Sequence, residues 1–212
     1  MVSMSGKWIL RFFTFLAFSN CCYAQVTHPA PQAYAALSAG YGKFQNTSNG
    51  SGDTPVARLA IGSLWELNQN ALLGGEVGIQ SGNRMQLSND VAAAFGYTST
   101  PPLFLTVKLP VDILAVLKYH FAAPVFVQVK AGAVYLRTMT DSPDITSEST
   151  VMPEVQVGAG YDLTCRTRVV LSYQQFFGQT PGLRNINPAT GTANLKHVPS
   201  WQAGMISFET DF

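Results

Sequence analysis

The chain alternates apolar residues with polar or small ones in eight runs, and a period of two is the signature of β-strands with two unlike faces. The first run, 33–44, sets Ala35, Leu37, Ala39 and Tyr41 against Ala36, Ser38, Gly40 and Gly42. The second, 56–66, sets Ala57, Leu59, Ile61 and Trp65 against Arg58, Ala60, Gly62 and Glu66. In the third, 71–80, Leu73, Val77 and Ile79 oppose Gly74, Glu76, Gly78 and Gln80. The fourth, 104–119, is the longest: Leu105, Val107, Leu109, Val111, Ile113, Ala115, Leu117 and Tyr119 share one parity, with Thr106, Lys108, Asp112 and Lys118 on the other. The fifth, 125–135, places Val125, Val127, Val129, Ala131, Ala133 and Tyr135 opposite Gln128, Lys130 and Gly132. The sixth, 152–162, places Val155, Val157, Ala159 and Tyr161 opposite Glu154, Gln156, Gly158, Gly160 and Asp162. The seventh, 168–177, has Val169, Leu171, Tyr173 and Phe177 opposite Arg168, Ser172 and Gln174. The eighth, 201–212, changes parity, with Gly204, Ile206, Phe208, Thr210 and Phe212 opposite Ala203, Ser207, Glu209 and Asp211.

No stretch in residues 25–212 reaches the ~20 apolar residues of a membrane helix. A spanning chain without such helices must close into a barrel, because hydrocarbon offers no partner to a free backbone N–H or C=O. A soluble β-sandwich would also alternate, but its polar parity would be the solvated one and rich in charge. Here that parity carries small residues and isolated charges, which suits a narrow lumen. The predicted fold is therefore all-β, an eight-stranded antiparallel up-and-down transmembrane β-barrel. The connections agree: those near 67–70, 120–124 and 163–167 are short, and those near 45–55, 81–103, 136–151 and 178–200 are long. Short periplasmic turns and long outer loops are the pattern of outer-membrane barrels. Tyr41, Tyr135, Tyr173 and Phe177 then fall at the outer strand ends and Trp65, Tyr119, Tyr161 and Phe212 at the periplasmic ends, the levels that aromatic belts occupy. Pro110 interrupts the fourth run, and since proline cannot donate to a ladder, a bulge or bent register is expected there.

Composition adds compartment and excludes partners. Of 212 residues 12% are charged, and 13 Lys+Arg against 12 Asp+Glu leave no basic excess for binding nucleic acid. Lys7, the apolar run Phe12–Phe18 and the small residues flanking Tyr23 in Cys22-Tyr23-Ala24 read as a signal peptide over 1–24, cleaved after Ala24, for export through the Sec pathway to the outer membrane. The barrel domain is then 25–212, and only Cys165 of the three cysteines stays in it, which permits no internal disulfide and no cysteine metal cluster.

Chemistry is sparse. His28, His120 and His197 are the histidines, and none has Ser two residues later, the pairing expected of lipid A deacylases. His197 could meet Asp141 at the outer rim, although a solvated loop histidine is the simpler account. No catalytic, cofactor or metal site is expected. The inward parity instead gathers Arg58, Glu76, Lys108, Asp112, Lys118, Lys130, Glu154 and Arg168. They could line a narrow ion path, but eight strands leave a bore that side chains fill, which favours a paired network plugging it. Hairpin register places Lys130 as its hub, within reach of Asp112 and Glu154, with Arg58 and Glu76 as a simple pair.

The glycine-rich run Ala36-Leu37-Ser38-Ala39-Gly40-Tyr41-Gly42, the Leu117-Lys118-Tyr119-His120-Phe121 strand end, the Ala-Gln cleavage site and the terminal Ser207-Phe208-Glu209-Thr210-Asp211-Phe212 resemble the small outer-membrane barrels of the OmpA/OmpX-like and opacity-protein-like group. The resemblance implies that Phe208, Thr210 and Phe212 serve as the signal read by the barrel-assembly machinery, with periplasmic chaperones and lipopolysaccharide as further partners. It also implies a structural or surface role, in envelope integrity, adhesion or contact with host or environmental ligands through the outer loops. The alternatives left open are an outer-leaflet lipid-modifying enzyme and a narrow, porin-like solute channel.

Overall fold

The computed structural model describes residues 31–45, 53–86, 104–121, 124–140, 145–146, 149–179, 183–187, 192–195 and 197–212. Residues 1–24, expected to be a signal peptide, and His28 and Asp141 lie outside them. Strands β1 (Gln32–Phe44), β2 (Asp53–Asn68), β3 (Ala71–Gln80), β5 (Phe104–His120), β6 (Val125–Thr140), β8 (Ser149–Asp162), β9 (Thr167–Phe176) and β12 (Trp201–Asp211) form the barrel. Each pairs antiparallel with its neighbour in the chain, and β12 closes the sheet against β1. The eight alternating runs and the eight strands coincide within a few residues. Short strands that the alternation did not announce occur in the long connections. Strand β4 (Asn83–Gln86) extends the ladder beside β5, while β7 (Ile145–Thr146), β10 (Leu183–Asn187) and β11 (Thr192–Leu195) form a small separate sheet.

Register followed once around the barrel runs Tyr34, Gly62, Glu76, Leu114, Gly132, Glu154, Phe176, Trp201 and returns to β1 at Phe44, ten residues beyond its start. That stagger requires strands tilted by about 35–45°. It also means that residues far apart in sequence share a level inside the bore.

Two of the short turns are built by a side chain that accepts the backbone donors freed where the ladder stops. Asn68 Oδ1 accepts from Asn70 N and Ala71 N, both at 2.9 Å. Thr164 Oγ1 accepts from Arg166 N and Thr167 N at 3.2 and 3.0 Å. The outward parity is apolar and exposed: Leu37, Ile61, Ile113, Val129, Val157, Leu171 and Ile206 all face away from the bore. So much apolar surface in a closed barrel marks a protein that spans a bilayer. Inside, glycines stand beside the largest side chains. A Cβ on Gly62 would lie 2.7 Å from the Tyr34 ring, and Cβ atoms on Gly42 and Gly160 would enter the rings of Trp201 and Phe126.

The expected irregularity at Pro110 is present. Val111 pairs with Tyr135 but Lys108 pairs with Arg137, so Leu109 and Pro110 together oppose the single residue Leu136. A β-bulge of this kind reverses the parity beyond it. Val107, expected to face lipid, is buried in the bore, and Lys108, expected in the lumen, is exposed on the outer wall. The irregularity falls where Pro110 predicts it, but the two faces are exchanged beyond it.

Candidate functional site

The lumen is stratified. Its outer part is apolar: Phe44, Val107, Leu136, Phe176, Val198 and Trp201 belong to one buried cluster. The Trp201 ring meets Phe176 with centroids 4.7 Å apart and Phe44 at 6.4 Å. Val198 comes from the segment before β12, held in the mouth where Gln179 N donates to Val198 O at 3.0 Å and Gly178 N to Ser200 Oγ at 3.0 Å.

Below this cap the charges form one continuous chain. Arg58 on β2 binds Asp112 on β5 through two nitrogens and Glu76 on β3 at 2.8 Å. Glu76 also accepts from Lys130 Nζ on β6 and from the Tyr34 hydroxyl, both at 2.7 Å. Lys130 in turn approaches Glu209 on β12 at 3.7 Å. Glu209 takes Lys118 Nζ at 2.8 Å, Arg168 Nε at 4.0 Å and the Gln128 amide at 3.2 Å. Arg168 ends the chain on Asp211. Arg58, Lys118, Lys130 and Arg168 are thus matched by Glu76, Asp112, Glu209 and Asp211, and burial of each charge is offset by a partner. Lys118 Nζ also lies 4.6 Å from the Phe126 ring centroid.

These contacts correct part of the expected wiring. Lys130 reaches neither Asp112 nor Glu154. It pairs in register with Val116 and Gln156, one or more steps from the neighbours that a simple fold about the turns would give. Its carboxylates are Glu76 and Glu209. Arg58, expected to hold Glu76 alone, holds Asp112 as well. Glu154 stands off the chain, bound by the amides of Gln156 at 2.7 Å and Gln174 at 2.5 Å. Lys108 is not a lumen residue. The groups of the chain that sequence reasoning passed over are Glu209, which collects three cations, Asp211, which ends the chain, and Tyr34. All three lay on the inward parity: Tyr34 reaches Glu76 past the small residue Gly62 in register between them, and Glu209 lies directly opposite Arg168 but meets Lys118 across the bore.

Tyr41, Trp65, Tyr119, Tyr135 and Tyr173 are exposed on the outer wall and Tyr161 is half-buried there. Phe208, Thr210 and Phe212 share the outward face of the last strand, and Phe212 N donates to Ala33 O at 3.0 Å, fastening the C-terminus to β1. His120, at the end of β5 rather than in the turn, faces Asp162 at 3.6 Å. Cys165 is exposed in the turn between β8 and β9. Among the described residues no His, Cys, Asp and Glu cluster could hold a metal ion.

Fold and lining together define a small transmembrane β-barrel of the outer-membrane type, with a filled bore. No protein-family model matches the chain, and neither does any curated protein. Among solved structures it is similar to Ail, the attachment invasion locus protein of Yersinia pestis, at 10% identity and a TM-score of 0.47, covering 86% of this chain and 97% of that one. It is similar to Neisserial surface protein A at 11% identity and TM-score 0.47, covering 86% and 97%. The N-terminal β-barrel domain of Pseudomonas aeruginosa OprF matches at 16% identity and TM-score 0.43, covering 86% and 100%.

Proposed function

We propose that this protein is a non-enzymatic component of the bacterial outer membrane, which passes no solute and acts through its outer loops in adhesion, host contact or envelope integrity. The observation that carries this reading is the filled bore: a chain of ion pairs from Asp112 to Asp211, capped on the loop side by Phe44, Phe176, Val198 and Trp201. An ion would have to break buried pairs and then cross an apolar layer. Reconstituted in a planar bilayer, the wild-type protein gives no stepwise conductance, and discrete steps would replace this reading with the channel. The lipid A of cells with and without the gene carries the same acyl chains, and a changed acyl content would replace it with the lipid-modifying enzyme. Attachment of the same two strains to host cells or an abiotic surface then tests the adhesive role directly.

A further inference from the structure

The bulge at Leu109-Pro110 creates an outward-facing pair of cations. Lys108 and Arg137 are direct cross-strand partners on β5 and β6, and both are exposed on the outer wall. Arg137 lies two residues beyond Tyr135 on the same face of β6, on the loop side of that exposed belt residue. Neither cation meets a carboxylate among the described residues. Lys43, another outward cation among the described residues near this rim, is already paired with Asp53 at 3.8 Å. Like charges directly opposite each other in an antiparallel ladder repel, so an anion between the two groups stabilises this pair. At a headgroup level, facing away from the bore and with no carboxylate against them among the described residues, the two cations meet lipid phosphate. An ammonium beside a guanidinium suits a phosphate monoester, which offers several acceptor oxygens and takes guanidinium donors in a fork.

We propose that Lys108 and Arg137 form a site on the barrel wall for a phosphate of an outer-leaflet glycolipid. The inference rests on the membrane placement argued above. The seam between β5 and β6 then carries one ordered lipid, held by phosphate at the belt and by acyl chains along the exposed apolar wall below.

The test is titration of the folded full-length barrel in detergent with bis-phosphorylated lipid A, read by native mass spectrometry. The dephosphorylated lipid with the same acyl chains is the control. Wild type should retain the phosphorylated lipid, and Lys108→Gln/Arg137→Gln should weaken retention by about thirtyfold, the effect of two basic residues near an anionic surface. Lys43→Gln should bind as wild type, and Lys108→Arg should keep most of the affinity. Heat-modifiability on a gel establishes that each variant is folded, and if the double variant fails there, Lys108→Gln alone carries the comparison. Equal retention of the two lipids, or unchanged binding by the folded double variant, would overturn the site. Displacement of the lipid by submillimolar inorganic phosphate would also overturn it, in favour of a soluble-anion site. A barrel that does not float with phosphatidylcholine vesicles would instead remove the membrane placement itself, so the two failures are distinguishable.

Discussion

Replacing Arg58 with methionine should destabilise the barrel more than any other single charge deletion in the bore. Arg58 is 2% exposed and is the cation for Asp112, which is 0% exposed and meets no other cation among the described residues. Glu76 also binds Arg58 but keeps Lys130 and the Tyr34 hydroxyl when it is lost. The damage is therefore concentrated on one carboxylate left charged in a water-poor interior. Breaking a buried pair from one side costs about 3–5 kcal/mol. Adding Asp112→Asn removes the stranded charge, so Arg58→Met/Asp112→Asn should recover more than half of the loss even though it deletes both partners. The measurement is urea unfolding of the refolded protein in lipid vesicles, followed by the shift between folded and unfolded bands on an unheated gel. If Arg58→Met unfolds at the wild-type urea concentration, water reaches Asp112 freely and the bore is hydrated. If the double variant is no better than the single one, the cost lies in lost packing around the guanidinium and not in charge.

Lys130→Met should cost less, about 1–3 kcal/mol, because Glu76 retains Arg58 and Glu209 retains Lys118; the same urea gel ranks the two variants, and a larger loss for Lys130→Met would contradict this wiring. Ile113 is 66% exposed on the mid-barrel wall, so Ile113→Arg should cost ~2–4 kcal/mol of insertion energy, whereas Gln128→Asn in the bore should fold in vesicles with wild-type yield. Deleting Phe212 should reduce the assembled barrel in cells well beyond the effect of one lost backbone hydrogen bond, and normal surface levels of the truncated chain would count against its role in assembly. An impermeant maleimide should label Cys165 in opened envelopes and leave it untouched in intact cells, since the turn between β8 and β9 is on the short-turn side.

Strand number, strand ends and wall orientation were readable from the chain because a barrel imposes one simple rule: alternate residues see lipid and lumen. Pro110 even announced the site of the bulge. What could not be read was any contact that depends on the third dimension of closure. Hairpin geometry governs neighbours such as β5 and β6, but Arg58 meets Asp112 past an intervening strand, and Lys118 meets Glu209 across the whole bore. Those meetings are set by the registers of two or more successive strand pairs taken together, and an error of one or two residues at each turn is enough to rewire them. Lys108 illustrates the same limit on a smaller scale. A single inserted residue moved it from the expected network to the opposite surface, and nothing in its own side chain signalled the change.

The placement of Glu209 on the final strand has a consequence for how a finished barrel differs from an unfinished one. Most of the interior cations are synthesised and threaded into place before their acid arrives, and Lys118 is separated from it by 91 residues. Until β12 docks between β9 and β1, Lys118 and Arg168 lack their ion-pair partners and Lys130 keeps only Glu76. Such an intermediate has reason to stay open to water. The last strand therefore completes the neutralisation of the interior, and a chain truncated before Glu209 should leave little folded barrel on an unheated gel.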